Sequence, residues 1–213
     1  MSDDPILPIL EESEDISPQS SDYATGGDDV AHWISRAALS EKFLKSIVKP
    51  TSFKTFVSEL LLEIVKTVKC EAASIIEISR DGKSMFFRAA TGQSSDQLDP
   101  IEIPVSKGIA GHVVTTRQPY IMKRNDNDDK QLKTVDNTVG FQTNNLIAIP
   151  IFIRGHVYGV LELLNRVGDD EFSVKDVELL TFAAETAAKA IEVRIMFNWL
   201  ATQNGVSAGT KAA

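Results

Sequence analysis

The sequence predicts an α+β fold built on an antiparallel central sheet. Three observations predict it: short apolar runs joined by tight turn dipeptides, helical apolar stripes near both chain ends, and a polar, loop-rich middle. A chain of 213 residues, 43% hydrophobic and 24% charged, fits one domain with extensions. A domain of about 150 residues buries roughly 70% of its unfolded surface, so its core needs no staples. Cys70 is the single cysteine, and His32, His112 and His156 are the only histidines. An internal disulfide is therefore excluded, and there is no Cys/His cluster with zinc spacing. The chain opens Met-Ser-Asp-Asp, with no basic stretch, and no 18-residue apolar run follows. The expectation is a cytoplasmic protein that neither is secreted nor spans a membrane.

The formal charge of −8 sits in one place. Residues 1–29 hold nine acids and no Lys or Arg, while the remainder holds 21 acids against 22 bases. Residues 1–29 read as an acidic disordered tail, although the pairs Ile6-Leu7 and Ile9-Leu10 leave a short docking motif open.

From 30 to 49, Trp33, Ile34, Ala37, Leu44, Ile47 and Val48 recur at helical spacing, and Pro50 ends the segment. A second helix starts from Thr51 or Ser52 as cap and carries Phe53, Phe56, Val57, Leu60, Leu61, Ile64, Val65 and Val68. That stripe is wide enough to pack on a sheet and another helix at once. Residues 72–79 and 83–91 read as strands joined at Asp81-Gly82, a turn dipeptide suited to a tight hairpin. A polar loop over 92–100 leads to a short strand at 101–105. A short helix entered through Gly108 follows, then a brief strand at 119–122. The Asp/Asn-rich stretch from Lys123 to Lys133 reads as a surface loop ending in a short helix near Val135.

Residues 146–153 are apolar at every position, so that strand must be covered on both faces. Arg154-Gly155 turns the chain into a partner strand over 156–164. Ser173 with Asp176 three residues later is a helix-start signature, and the apolar stripe from Leu179 to Trp199 runs for about seven turns at 3.6 residues per turn. Residues 201–213 read as a flexible tail.

Three separated blocks, in order, are specific enough to resemble a family. They are Ile103 to Thr116 (Ile-Pro-Val-Ser-Lys-Gly-Ile-Ala-Gly-His-Val-Val-Thr-Thr), Val135 to Leu146 (Val-Asp-Asn-Thr-Val-Gly-Phe-Gln-Thr-Asn-Asn-Leu), and Gly159 to Arg166 (Gly-Val-Leu-Glu-Leu-Leu-Asn-Arg). They resemble the GAF domain, in particular the cyclic-nucleotide-binding GAF domains of phosphodiesterases and bacterial adenylate cyclases, over about residues 50–200. The resemblance implies a six-stranded antiparallel sheet, terminal helices on one face, and a ligand pocket roofed by short helices and loops on the other. It also implies a homodimer held by the terminal helices, a signalling partner protein, and a small ligand such as cAMP or cGMP, with no cofactor required.

Residue by residue, the resemblance places Ser74, Ile109, Ala110, Thr143 and Glu162 at ligand-holding positions. Ala90 stands where a purine-stacking ring is expected, Leu132 where a Tyr often lies, and Val139 where the relatives have Thr before Gly-Phe. The signature of nucleotide-binding members is met by Asn165, Arg166, Phe172 and Asp176, with Arg for Lys and Val177 for Glu. Arg166 retains the charge for an ion pair to Asp176, while Ser173 and Asp176 also read simply as a helix cap.

The residues themselves argue for a pocket without naming its ligand. Glu162 stands among Val160, Leu161, Leu163 and Leu164, and a carboxylate in an apolar strand needs a ligand N–H, an Arg or a backbone amide unless it lies at an exposed sheet edge. Helix starts near Gly108 and Val135 would offer backbone N–H groups to a phosphate or carboxylate.

Enzyme readings lack their residues. GAF proteins that reduce methionine sulfoxide depend on several cysteines, and Cys70 stands alone. His112 has no Ser/His/Asp or Cys/His companion spacing. Nucleic acid is not an expected partner, because Lys123, Arg124, Lys130 and Lys133 are interrupted by Asp126, Asp128, Asp129 and Asp136. Two functions remain: a non-catalytic ligand sensor that regulates a partner, or a ligand-free dimerisation and scaffolding module whose pocket is filled by Leu132, Val139 and Phe141.

Overall fold

The computed structural model describes residues 26–92, 95, 98, 101–124, 141–168 and 171–203. The acidic segment before residue 26, Leu132, Val139, the helix expected near Val135 and the residues after 203 lie outside them. The elements are α1 (Gly26–Ile47), α2 (Phe53–Thr67), β1 (Cys70–Ile78), β2 (Ser84–Thr91), β3 (Glu102–Pro104), α3 (Gly108–Thr116), β4 (Tyr120–Met122), β5 (Leu146–Ile153), β6 (His156–Arg166) and α4 (Val174–Gln203). The six strands form one antiparallel sheet in the order β3-β2-β1-β6-β5-β4.

Local chemistry sets the boundaries. Ser52 caps α2, its hydroxyl accepting from Thr55 N at 3.1 Å. The β1–β2 turn places Gly82 at φ +70°, and the β5–β6 turn places both Arg154 (φ +50°) and Gly155 (φ +77°) in the left-handed region. The two left-handed residues in succession give the two-residue turn whose twist matches that of its strands. At the head of α4, Ser173 N donates to Asp176 Oδ2 at 2.7 Å, and Asp176 N returns a longer bond to Ser173 Oγ at 3.4 Å. This is the capping exchange that the spacing predicts.

The sheet is covered on both faces by two separate clusters. On one face Ala73, Ile75, Ile147, Ile149, Leu161 and Leu163 pack against α1, α2 and α4. On the other, Ile76, Met85, Met122, Leu146, Ala148 and Val160 pack against Ile109, Ala110 and Val113 of α3. Strands β5 and β6 therefore lack a solvent face over most of their length, which explains the uninterrupted apolar run at 146–153. Glu162 lies on β6, an inner strand, so the sheet-edge explanation for its carboxylate does not hold.

The helical stripe that the spacing picks on α1 is corrected. Trp33, Ile34, Leu44 and Val48 point outward, between 63 and 77% exposed, while Leu39 and Phe43 are buried against the domain. This segment has two apolar faces, and among the described residues only one of them packs on the domain. On α4 the buried stripe ends at Ile191 and Arg194, whereas Ile195, Met196 and Trp199 are exposed.

At Gly159 strands β1 and β6 leave no room for a side chain. A Cβ there would collide with the Ile76 carbonyl on β1, so the strand carries no side chain at that point. Gly159→Ala is expected to cost about 1–3 kcal/mol through overpacking, read as a lower urea midpoint with an unchanged slope. An unaltered midpoint would show that β1 and β6 move apart freely.

Candidate functional site

The register of the sheet assembles the site. Ala90 pairs with Ser74, Ser74 with Glu162, Glu162 with Ala148, and Ala148 with Tyr120. Residues paired across an antiparallel ladder share a face, and Ala148 and Tyr120 belong to the α3 side. The row Ala90, Ser74, Glu162, Ala148, Tyr120 thus crosses five strands on the face covered by α3, which brings together three of the residues placed at the pocket by resemblance.

Ser74 is 4% exposed, and among the described residues its Oγ has no hydrogen-bond partner. Glu162 is half-buried beside it and has an interaction of its own. Ile109 and Ala110 sit in the first turn of α3, buried against the same face. Lys107 precedes that turn, and its side chain makes no capping bond, so among the described residues the positive end of the helix has no side-chain cap from that position. The close seat of α3 has a local cause: a Cβ on Gly111 would lie 2.5 Å from Val105 O. His112 and Tyr120 meet edge to face, with ring centroids 5.2 Å apart. Tyr120 is the residue of this row that the spacing of apolar positions does not reveal, because β4 is three residues long.

Phe141 and Thr143 lie half-buried on the segment that enters β5. That segment is fixed by Asn165, which is buried and held at φ +55°. Its Oδ1 accepts from Asn144 N at 2.7 Å and Asn145 N at 3.3 Å, and its Nδ2 donates to Gln142 O at 2.7 Å and Glu71 Oε2 at 2.8 Å. Asn145 answers through its own amide oxygen, which accepts from Arg166 N at 3.0 Å, and through its carbonyl, which accepts from Asn165 N at 2.8 Å. The Arg166 guanidinium then pairs with Asp176 at the head of α4 and stands 5.9 Å from the centre of the Phe172 ring. Phe172 itself is 3% exposed and belongs to the helical-side core, so it lies away from the row of Ser74 and Glu162. Asn145 and Glu71 are members of this network that sequence reasoning missed. The Asn-Asn doublet before an all-apolar strand is the signal that could have found the first, and Glu71 has no comparable signature.

Other reactive groups are accounted for by packing. Cys70 begins β1, and burial pushes its thiol up to about 11, so it stays protonated and unreactive at neutral pH. On the helical face Glu77 Oε2 accepts from Arg88 Nε and from Tyr158 Oη, each at 2.5 Å. Burial, and then the Glu77 charge, push the Tyr158 phenol upward. No cluster of metal-ligating side chains, and no helix long and apolar enough to cross a membrane, occurs among the described residues.

A model of the GAF domain family matches residues 52–191. Similar proteins include the probable 3',5'-cyclic phosphodiesterase pde-5 of Caenorhabditis elegans, 24% identical over 66% of this chain and 21% of its own length. They also include the rod cGMP-specific 3',5'-cyclic phosphodiesterase subunit alpha of Mus musculus, 28% identical over 38% of this chain and 9% of its own. The chain therefore spans about a fifth or less of these relatives. Among solved structures, the GAF domain of an Acinetobacter phosphoenolpyruvate-protein phosphotransferase aligns with a TM-score of 0.61 at 15% identity, covering 80% of this chain and 96% of that one. The free methionine-R-sulfoxide reductase of Neisseria meningitidis aligns with a TM-score of 0.63 at 13% identity, covering 78% and 93%. At these identities the structural likeness establishes the fold, which regulatory domains and enzymes share.

Asn165 generates a test of the network. Asn165→Ala is expected to lose about 2–3 kcal/mol, because it strands one buried and two half-buried backbone groups. Asn165→Gly is expected to recover about 1 kcal/mol of that by relieving the left-handed backbone. Urea denaturation of both variants measures the two parts, and a glycine variant as stable as the unmodified protein would show the side-chain bonds to be idle.

Proposed function

The chain belongs to the GAF domain family, and from that premise we propose that it is a cytoplasmic, non-catalytic sensory module. It takes a small ligand on the α3 face of its sheet, pairs with a second copy through its terminal helices, and regulates a partner protein that supplies the output. No cofactor is needed. The observation that carries this reading is the buried Ser74 hydroxyl, without a hydrogen bond among the described residues, beside the Glu162 carboxylate on an inner strand. An unsatisfied buried hydroxyl costs about 1–3 kcal/mol, a cost that a ligand polar group would remove. The uncapped start of α3, over the same face, suits a phosphate.

A polar ring edge and a phosphate are the two ends of a cyclic nucleotide, and cGMP appears in the name of the rod relatives. Ala90 offers no ring for stacking, so affinity rests on the polar pair and the helix end. A purine then binds more weakly than it would against an aromatic side chain. Dimerisation is supported by the outward apolar side chains Trp33, Ile34 and Leu44 on α1 and Val48 just after it, together with Met196, Phe197 and Leu200 on α4. Exposed large apolar side chains in such number on two neighbouring helices are what an interface between copies would cover.

Thermal-shift and calorimetric titration with cAMP, cGMP and cyclic dinucleotides tests the ligand. One of them is expected to stabilise the protein by about 2.7 kcal/mol at a hundredfold excess over Kd, a rise of roughly 5–10 °C for a domain of this size. Glu162→Ala should reduce the shift. Silence from all of them at millimolar concentration would sink cyclic-nucleotide sensing. Light scattering tests the pairing: the expected mass is twice the 23.3 kDa chain, falling to a monomer in a Trp33→Glu, Leu44→Glu double variant, and a monomeric unmodified protein would overturn it.

A further inference from the structure

α1 and α4 lie parallel on the helical face. Midway along α1 the Arg36 guanidinium stacks 4.3 Å from the Phe182 ring of α4. At its end the carbonyl of Ile47, the last residue of α1, meets Arg194 further along α4. Arg194 is 7% exposed and is the last buried residue of its helix. Its Nη1 donates to Ile47 O at 2.8 Å and to Lys49 O at 2.6 Å, and its Nη2 donates to Thr51 O. The guanidinium also stands 5.4 Å from the Phe56 ring of α2.

Each of these bonds has a reason in the backbone. A helix C-terminus leaves carbonyls without intrahelical partners and carries a partial negative charge that a cation complements. Pro50 has no N–H to offer the junction, and within it Thr51 N turns back onto Lys49 O at 2.8 Å. One planar guanidinium, with five donors in a fixed fork, serves three carbonyls of the junction, of which Lys49 O is shared with Thr51 N; a lysine ammonium has neither the spread nor the plane to do so. Immediately beyond this grip the environment changes. Ile195, Met196, Phe197, Trp199 and Leu200 are all 44–60% exposed, so α4 leaves the domain body at Arg194 and continues as a projection.

We propose that Arg194 is a coupling pin. It joins the projecting end of α4, the α1–α2 junction and the first turns of α2 into one mechanical unit, so that displacement of residues 195–203 is passed to α1 rather than absorbed at the point where α4 leaves the body. The role is one of positioning, and it requires neither a ligand on the α3 face nor a particular oligomeric state.

Hydrogen exchange on the full chain tests it. In the unmodified protein, the α1 amides from Leu39 to Ile47 and those of the junction should open with the same free energy as the α4 amides preceding Arg194. Separate opening energies would overturn the proposal. In Arg194→Lys and Arg194→Met, loss of charge-assisted hydrogen bonds should raise exchange of α1 and the junction by about tenfold or more, while amides of β1, β5 and β6 hold their protection. In a Trp33→Phe background Trp199 is the only tryptophan, and its fluorescence anisotropy should fall in the same variants as the projection loosens. Unchanged α1 protection in Arg194→Lys, or a rise spread equally over the sheet strands, would reduce Arg194 to an ordinary packed group and overturn the pin. If Arg194→Met does not fold, the lysine variant and the unmodified protein decide the matter.

Discussion

The corner at Asn165 is the interaction on which the rest of the molecule depends. A β6 residue in the left-handed region breaks the ladder geometry, and its amide turns that break into a junction of four pieces of chain. The start of β1, the segment entering β5, the end of β6 and, through Arg166 and Asp176, the head of α4 all converge there. Both donors and both acceptor directions of the amide are used, so the group is buried without an unmet polar atom. Ser74 on the neighbouring strand is the opposite case, a buried hydroxyl without a described partner. The contrast separates the two kinds of polar residue in this sheet: Asn165 completes the fold, whereas Ser74 is left for something to complete.

The register turns that distinction into a site. Since side chains alternate, a one-residue slip of β1 against β6 would send Ser74 to the helical face and Ile75 to the other. Gly159, pressed on the Ile76 carbonyl, and the Asn165 corner pin the two ends of β6 against such a slip. The same alternation assigns the charged groups. Glu162 falls on the α3 face, while Glu77, Arg88 and Tyr158 form a closed group on the helical face beside Phe53. Two acids on adjacent strands thus have unrelated roles, decided by parity of position.

The strands, their hairpins and the cap of α4 were legible in the sequence because each rests on local chemistry: Asp81-Gly82, Arg154-Gly155, and Ser173 with Asp176. Placing Ser74 and Glu162 in one row needed the resemblance, since pairing across strands is not written in either strand alone. What could not be read were choices between equivalent local options. α1 has two apolar faces, and spacing favoured Trp33 and Leu44, although Leu39 and Phe43 are the residues that find partners. Nothing in the spacing singles out Arg194, because its three acceptors are backbone carbonyls, which have no residue identity to read. Asn145 and Glu71 were missed for a related reason, as their meaning depends on a residue remote in the chain.

Charge supplies the last step. With 21 acids and 22 bases after residue 29, that part of the sequence carries almost no net charge to steer an anion from a distance, and at physiological ionic strength a surface field fades within about 8 Å. An anionic ligand of the kind proposed for the α3 face would therefore be held by groups it touches: the N–H groups that open α3, the Ser74 hydroxyl and, through a donor of its own, the Glu162 carboxylate. Under the proposed reading, a ring edge that donates to Glu162 would distinguish a nucleotide from simple phosphate. Selectivity in this site would come from the pairing of a donor-bearing ring with a phosphate at fixed separation, and neither half alone satisfies both ends.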